Sequence, residues 1–464
     1  MDRTEPPLLA LNEDLERGTA ALTEGRYAEA EAVARALLDR DPNDVQSRAL
    51  LGAALAYQGR PAEAVRLLAK SPDRLEFHLA RAFALDRLGS LDEAERSARQ
   101  AAALGPDRVD VLTTLGAVLA DQGRYAEALS SFGRALAIDP VYAPARLGRG
   151  KLRLALGDYR AWSELDWRLN VPGLAPRFTP GGPAWDGSSP AGKTLLLVAE
   201  PGRSDQLMFV RFAAVLKRAG ARVVLACRPE MAAVLGRAEG VDRVVTDPSE
   251  LDADGGEPVD ACADLLSLPA LLGVGPSSVP RDPYLTAEPQ RSARWASELA
   301  ALGGYRVAVH WATERPDRRS IPLDAFAPLA EVPGVRLVSV QKGRGADDVC
   351  VARFPVADFG PRLDAGPDAF VDTAAVLAGS DLVVTNDGPI AHLAGALGVP
   401  VWIALPIGPD WRWLAERSDS PWYPSARLIR QRRQGDWSKP FRVIAETLRA
   451  GVAVREAVWE HQAG

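Results

Sequence analysis

Apolar and small residues recur every three to four positions through the first third of the chain, the spacing of one helical face. Over that pattern lies a longer one. The stretches Thr23–Ala30, Tyr57–Ala64, Arg87–Ala94 and Asp121–Ala128 share a Gly followed four residues later by Glu-Ala, and Ala155–Trp162 is a weaker fifth copy. Gly25, Gly59, Gly89, Gly123 and Gly157 are spaced by 34, 30, 34 and 34 residues. Each Gly follows an amphipathic run such as Leu112–Gln122, and each Glu-Ala opens another such as Ala126–Ile138. The pattern predicts stacked helix–turn–helix units. Gly supplies a left-handed turn, and small Ala lets paired helices approach. The short second spacing, near Ser71-Pro72-Asp73, predicts a clipped helix or an altered turn.

The pattern changes after Trp162-Ser-Glu-Leu-Asp-Trp167-Arg168. Residues 171–190 are rich in Pro and Gly and read as a linker, with Trp185 as an aromatic anchor onto the next domain. From residue 191 short apolar runs alternate with helical ones. Strands are expected at Lys193–Ala199, Arg222–Cys227 and Val241–Thr246, with a strand or turn at Asp260–Leu265. One helix is expected over Asp205–Arg218 and another over Pro229–Leu235. A second α/β series begins at Tyr305–Trp311. It continues through a helix at Leu323–Leu329, a strand at Val335–Gln341 and a helix at Phe370–Ala378, and a helix at Phe441–His461 closes it. Within it, Leu382–Thr385 reads as a strand, Pro389 onward as a helix ended by Gly398 and Pro400, and Val401–Leu405 as the next strand. So short a connection implies parallel strands and a right-handed crossover. The helix N-terminus then meets the carboxyl end of a sheet, where open α/β folds bind ligands and free N–H groups suit a phosphate. The chain divides into a solenoid at 1–170, a linker at 171–190, and α/β halves at 191–295 and 296–464, with a ligand cleft between the halves.

Composition narrows the function. At 464 residues, two or three domains are expected. A net charge of −6 argues against a dedicated nucleic-acid binder. The N-terminal residues show no signal peptide, and no apolar run is long enough for a membrane span. Three scattered cysteines, Cys227, Cys262 and Cys350, fit a reducing cytoplasm. With four histidines and no clustered ligand spacing, no metal site is expected.

The N-terminal units resemble the tetratricopeptide-repeat family, whose concave solenoids bind peptides or protein segments. Thr385-Asn-Asp387-Gly-Pro-Ile-Ala-His392-Leu-Ala-Gly-Ala-Leu-Gly-Val-Pro400 resembles the donor-binding signature of the heptosyltransferases of glycosyltransferase family 9. Further matching marks include Arg318-Arg-Ser-Ile-Pro-Leu323, Ser339-Val-Gln-Lys-Gly343, Asp410-Trp-Arg-Trp413 and Ser420-Pro-Trp-Tyr-Pro424. The chain looks like the bacterial proteins that carry repeats in front of such a domain, a plan similar to protein O-GlcNAc transferases. The resemblance implies a GT-B fold of two Rossmann-like halves and a nucleotide-sugar donor. It further implies inversion at the anomeric carbon, no essential metal and no cofactor. It casts Asp205 as general base. Here the loop departs from the family, with Ser204 in place of the usual Gly and the usual Gln missing, and a helix-terminal anion is the plainer reading. Arg318 and Arg319 are candidates for the donor phosphates, Arg319 the better match, and both could equally be solvated surface residues. Lys342 is a further candidate cation, and Gln341 a candidate hydrogen-bond partner for the nucleotide. Asp387 is a ligand for sugar or ribose hydroxyls or a helix cap, Gly388 admits phosphate to the backbone, and His392 belongs to the donor pocket. His310 reads as an ordinary strand residue, and Trp402, Trp411, Trp413 and Trp422 as packing rather than sugar stacking.

The function expected is a cytoplasmic glycosyltransferase whose repeats, residues 1–170, present a protein acceptor, flagellin by analogy. A lipopolysaccharide or polysaccharide acceptor is one alternative. A non-catalytic repeat adaptor with a degenerate glycosyltransferase fold is the other.

Overall fold

The computed structural model describes residues 8–69, 73–171, 174, 182–251, 258–314, 317–408 and 410–463. The chain forms two compact units, one of residues 1–153, 164–175 and 315–318, the other of residues 154–163, 176–314 and 319–464.

The first unit is built from antiparallel helix pairs, beginning with Leu8–Thr23 and Tyr27–Arg40. Gly25, Gly59, Gly89 and Gly123 all take φ between 78° and 80°, the left-handed turn their spacing predicts. Close helix approach comes from the small residues. Phe132 lies against both Gly116 and Gly148, where an added Cβ would sit 2.9 and 2.7 Å from its ring. A repeated ion pair also joins successive units: Arg60 Nη1 donates to Glu31 at 2.9 Å, and Arg124 binds Glu95 in the same way 64 residues on. The short second repeat is a clipped helix: Pro61–Leu67 has 7 residues where its counterparts Tyr27–Arg40, Leu91–Leu104 and Tyr125–Ile138 have 14. Residues 70–72, within the expected altered turn, lie outside the described residues. So does part of the expected linker, 172–173 and 175–181.

The second unit holds two parallel sheets, the plan expected of a GT-B domain. The first comprises β1 (Thr194–Val198), β2 (Arg222–Ala226), β3 (Arg243–Val245) and β4 (Ala261–Asp264), in the order β3-β2-β1-β4. Trp185 is buried beside it: Trp185 N donates to Cys262 O at 2.7 Å, which anchors this part of the linker along β4. The second comprises β5 (Tyr305–His310), β6 (Val335–Ser339), β7 (Ala357–Asp358), β8 (Leu382–Asn386), β9 (Val401–Leu405) and β10 (Ala426–Arg430), in the order β10-β9-β8-β5-β6-β7. The runs of Val, Leu and Ile suit strands covered on both faces.

Three helices matter for the site. Helix α1 (Arg203–Phe209) comes after β1, α2 (Pro389–Ala396) after β8, and α3 (Ser438–Ala463) closes the chain. The single helix expected over Asp205–Arg218 is broken at Val210–Arg211 and resumes at Phe212. The cause is local. Arg211 is 1% exposed, and its Nε donates to Met208 O at 2.7 Å while Nη1 and Nη2 reach Trp422 O and the Tyr284 hydroxyl. A buried guanidinium that must find several acceptors bends the backbone toward them.

Candidate active site

The helices after the central strands of the two sheets pack on each other, α1 against α2. Both are apolar where they meet: Leu207, Met208 and Phe209 on one side, Leu393 and Ala394 on the other, are fully buried. This packing brings Asp205 and the Asp387–His392 turn to one place, at the carboxyl ends of β1 and β8.

Asp205 lies in the first turn of α1 but does not cap it; the N-cap is Gly202, without a side-chain bond. Its carboxylate folds back over Gly202, where an added Cβ would stand 2.6 Å from Oδ2, so a side chain there would displace it. Oδ1 accepts from Nη2 of Arg412, whose Nη1 donates to Asp410 Oδ1 at 2.6 Å. The Arg412 side chain is 12% exposed. Burial opposes its charge, but the carboxylates of Asp205 and Asp410 more than offset this and hold the guanidinium above its ordinary pKa.

Asp387 is 4% exposed, and Gly388, not Asp387, is the N-cap of α2. Trp413 Nε1 donates to Asp387 Oδ1 at 2.8 Å, and Oδ2 is buried without a protein partner. Burial raises the Asp387 pKa and the Asp410 charge adds to it, against opposing effects of Arg319 and Trp413. Beside it Gly388 is buried, and an added Cβ there would make only an ordinary contact, with Asn386 Oδ1 at 3.7 Å. One turn into α2, His392 is 1% exposed. It stacks on Trp413 at 4.9 Å, shares a 2.9 Å hydrogen bond between Nδ1 and the Tyr423 hydroxyl, and leaves Nε2 buried and unpartnered. Burial first, then the charges of Arg412 and Arg211, push its pKa well below the usual value, so the imidazole is neutral.

The other expected residues divide. Arg319 belongs to this site, since its charge acts on Asp387 and its carbonyl accepts from Asn386 Nδ2 at 3.2 Å. Arg318 points elsewhere: it falls in the repeat unit, and its Nη2 donates to Asp121 Oδ1 at 2.6 Å. Gln341, expected to bond the nucleotide, braces its own surroundings through its side chain. Its Oε1 accepts from the Trp311 and Ala312 amides, and its Nε2 donates to the carbonyls of Ala312, Lys342 and Arg344. Lys342 is exposed and its Nζ is tied to the carbonyls of Leu363 and Asp364.

Four neighbours of the site have no site role readable from the sequence alone: Arg412, Asp410, Trp413 and Tyr423. The nearest signal is Asp410-Trp-Arg-Trp413, where two charges sit within an aromatic run that must be buried. His310 is also more than a strand residue. Its Nδ1 meets Asn386 Oδ1 at 2.9 Å and so orders the amide that holds Arg319. Burial lowers its pKa to about 4. Trp411, Trp413 and Trp422 are buried, as packing requires. Among the described residues no group of three or more His, Cys, Asp or Glu side chains is placed to hold a metal ion.

Two family models for the tetratricopeptide repeat match residues 15–74 and 119–161. The N-terminal region is a tetratricopeptide-repeat solenoid. Across most of its length, the chain is 25% identical over 448 residues to Protein FlbA of Caulobacter vibrioides, covering 82% of this chain and 73% of that one. Among solved structures, a glycosyl transferase family 9 protein from Veillonella parvula is 12% identical with a TM-score of 0.42, covering 53% of this chain and 88% of that one. A thermophilic TPR protein of Thermus thermophilus is 20% identical with a TM-score of 0.32, covering 35% of this chain and 91% of that one. No helix among the described residues is long and apolar enough to cross a membrane.

Proposed function

We propose that the protein is an inverting glycosyltransferase that moves a sugar from a nucleotide-sugar donor to a protein acceptor recruited by the repeats, flagellin being the acceptor of choice. The observation that carries this reading is the convergence of Asp205, from the first α/β half, with the turn Asp387–His392 of the second. There Asp387 Oδ2 and His392 Nε2 are buried without partners. Buried polar atoms left unpaired are costly, and a polyhydroxyl ligand would satisfy both. In the proposed step the acceptor hydroxyl oxygen attacks the anomeric carbon and passes its proton to Asp205. The bond from that carbon to the diphosphate oxygen breaks, and the nucleoside diphosphate leaves with the electron pair. Arg319 and the backbone N–H groups after Gly388 receive the developing charge.

A thermal-shift panel of nucleotide sugars tests the donor half of this reading. One donor should stabilise the wild-type protein, with a smaller effect in Arg319→Ala and His392→Ala. If no nucleotide sugar shifts the melting temperature, the proposal falls. The pairing of Asp205 with Arg412 favours a second reading, a repeat adaptor that binds a nucleotide sugar without turning it over. The two part on whether a bound donor is consumed.

A further inference from the structure

On the far side of the second sheet, at its β10 edge, the chain carries a charge opposite to its average. The protein has a net charge of −6. Yet a groove of about 880 Å³ between β10 and the start of α3 is lined by Arg427, Arg432, Lys439 and Arg442, all exposed. None of these four takes part in an ion pair or donates a side-chain hydrogen bond among the described residues. The acid on the groove wall, Asp419, is already paired with Arg417 at 2.6 Å, and nearby Asp436 caps Ser438. In the solenoid, by contrast, Arg26, Arg60, Arg99 and Arg124 are each paired with Glu. Four such cations around one groove repel one another, and a bound polyanion relieves that repulsion.

The floor says which polyanion. Trp402 lies across from Arg427 in the β9–β10 register, with the guanidinium 5.8 Å from its ring. Val443, at 51% exposure, forms the opposite wall with buried Ile444 beneath it. An aliphatic and aromatic floor under a cationic rim matches a peptide that alternates carboxylates with apolar side chains. A glycan would need neutral hydrogen-bonding groups along the floor, and the lining offers few, Ser418 and Thr447 among them. We infer that this groove docks an acidic, amphipathic polypeptide segment of a partner protein. The inference is independent of the glycosyltransferase reading.

The test uses the full chain and a fluorescein-labelled 12-residue peptide in which Glu and Asp alternate with Leu and Ile, read by anisotropy. Saturable binding is expected at low salt and should weaken about tenfold or more at high salt, since surface ion pairs are screened. Arg432→Ala with Arg442→Ala should weaken it about tenfold or more, whereas Arg432→Lys with Arg442→Lys should retain it. Arg160→Ala, an exposed arginine elsewhere, should leave it unchanged. No binding by the wild type, equal binding by the double alanine variant, or binding of phosphatidylserine vesicles in place of the peptide would each overturn the inference.

Discussion

Replacing Arg412 with Ala probes the candidate site where it is most tightly wired. The side chain holds Asp205 through Nη2 and Asp410 through Nη1, and it lies over the Trp411 ring at 4.4 Å. Removing it leaves Asp205 and Asp410 without their shared cation, and Asp410 still acts on Asp387. Breaking a fully buried ion pair from one side costs about 3–5 kcal/mol. Here the side chains of Asp205 and Asp410 are 21% and 33% exposed, so water takes over part of that role and about 2–3 kcal/mol remains. For a unit of this size the melting temperature should fall by about 5 °C. If Asp205 is the base, its carboxylate then loses its fixed position, and transfer should fall about 100-fold with little change in donor KM. Arg412→Lys, which keeps the charge but one fewer directed bond, should recover part of both losses. Millimolar guanidinium should restore part of the activity of Arg412→Ala, an outcome a purely structural role would not give. Calorimetry and a donor-consumption assay on the same preparations supply both readouts. A variant that melts within about 1 °C of wild type and keeps its turnover would refute the assignment.

The same geometry sets other outcomes. Asp387 has a folded-state pKa raised by burial. It therefore favours folding while protonated, and this contribution is lost as pH rises above the ordinary carboxyl range. Asp387→Asn should accordingly stabilise the protein at pH 8 relative to pH 4 in thermal melts while abolishing any donor-induced shift. His310 is the opposite case, with a folded pKa of about 4 against 6.5. Its contribution is full above pH 6.5 and disappears as pH falls toward 4. Because the ring is partly exposed, about 2 kcal/mol should be lost across that window, and His310→Asn should flatten the slope in urea titrations at graded pH. In the solenoid, Phe132→Ala empties a fully packed site and should cost about 3–5 kcal/mol. Repeat arrays lose cooperativity locally, so hydrogen exchange should rise across residues 109–155 first.

The repeats were legible because their signal is local. A left-handed turn needs Gly whatever the rest of the fold does, and five such turns in register leave little choice. The parallel strands were legible for a similar reason, as buried Val and Leu runs bounded by turns. What the sequence could not show was which polar group each side chain would find. Gln341 and Lys342 sit just past β6, where a ligand would be expected, yet the loops after β5 and β7 consume their hydrogen bonds. Asp205 and Arg412 are 207 positions apart, and only tertiary packing of the turn at Trp411–Trp413 beside α1 makes them partners. The break at Arg211 was hidden for the same reason, since an amphipathic pattern does not reveal that a cation on its apolar face must be satisfied by distant carbonyls. Asp387 and His392 were singled out through a resemblance carried by one contiguous stretch, a local feature, whereas Trp413 and Tyr423 were given no site role because they arrive from a different loop.

The central claim rests on chemistry at Asp205, and sugar transfer measures it directly. Purified full-length protein, supplied with the nucleotide sugar that stabilises it and with flagellin, should release nucleoside diphosphate and label the acceptor, and Asp205→Asn should lose both while still binding the donor. Donor binding by the wild type without release of nucleoside diphosphate, or undiminished transfer by Asp205→Asn, would contradict the account.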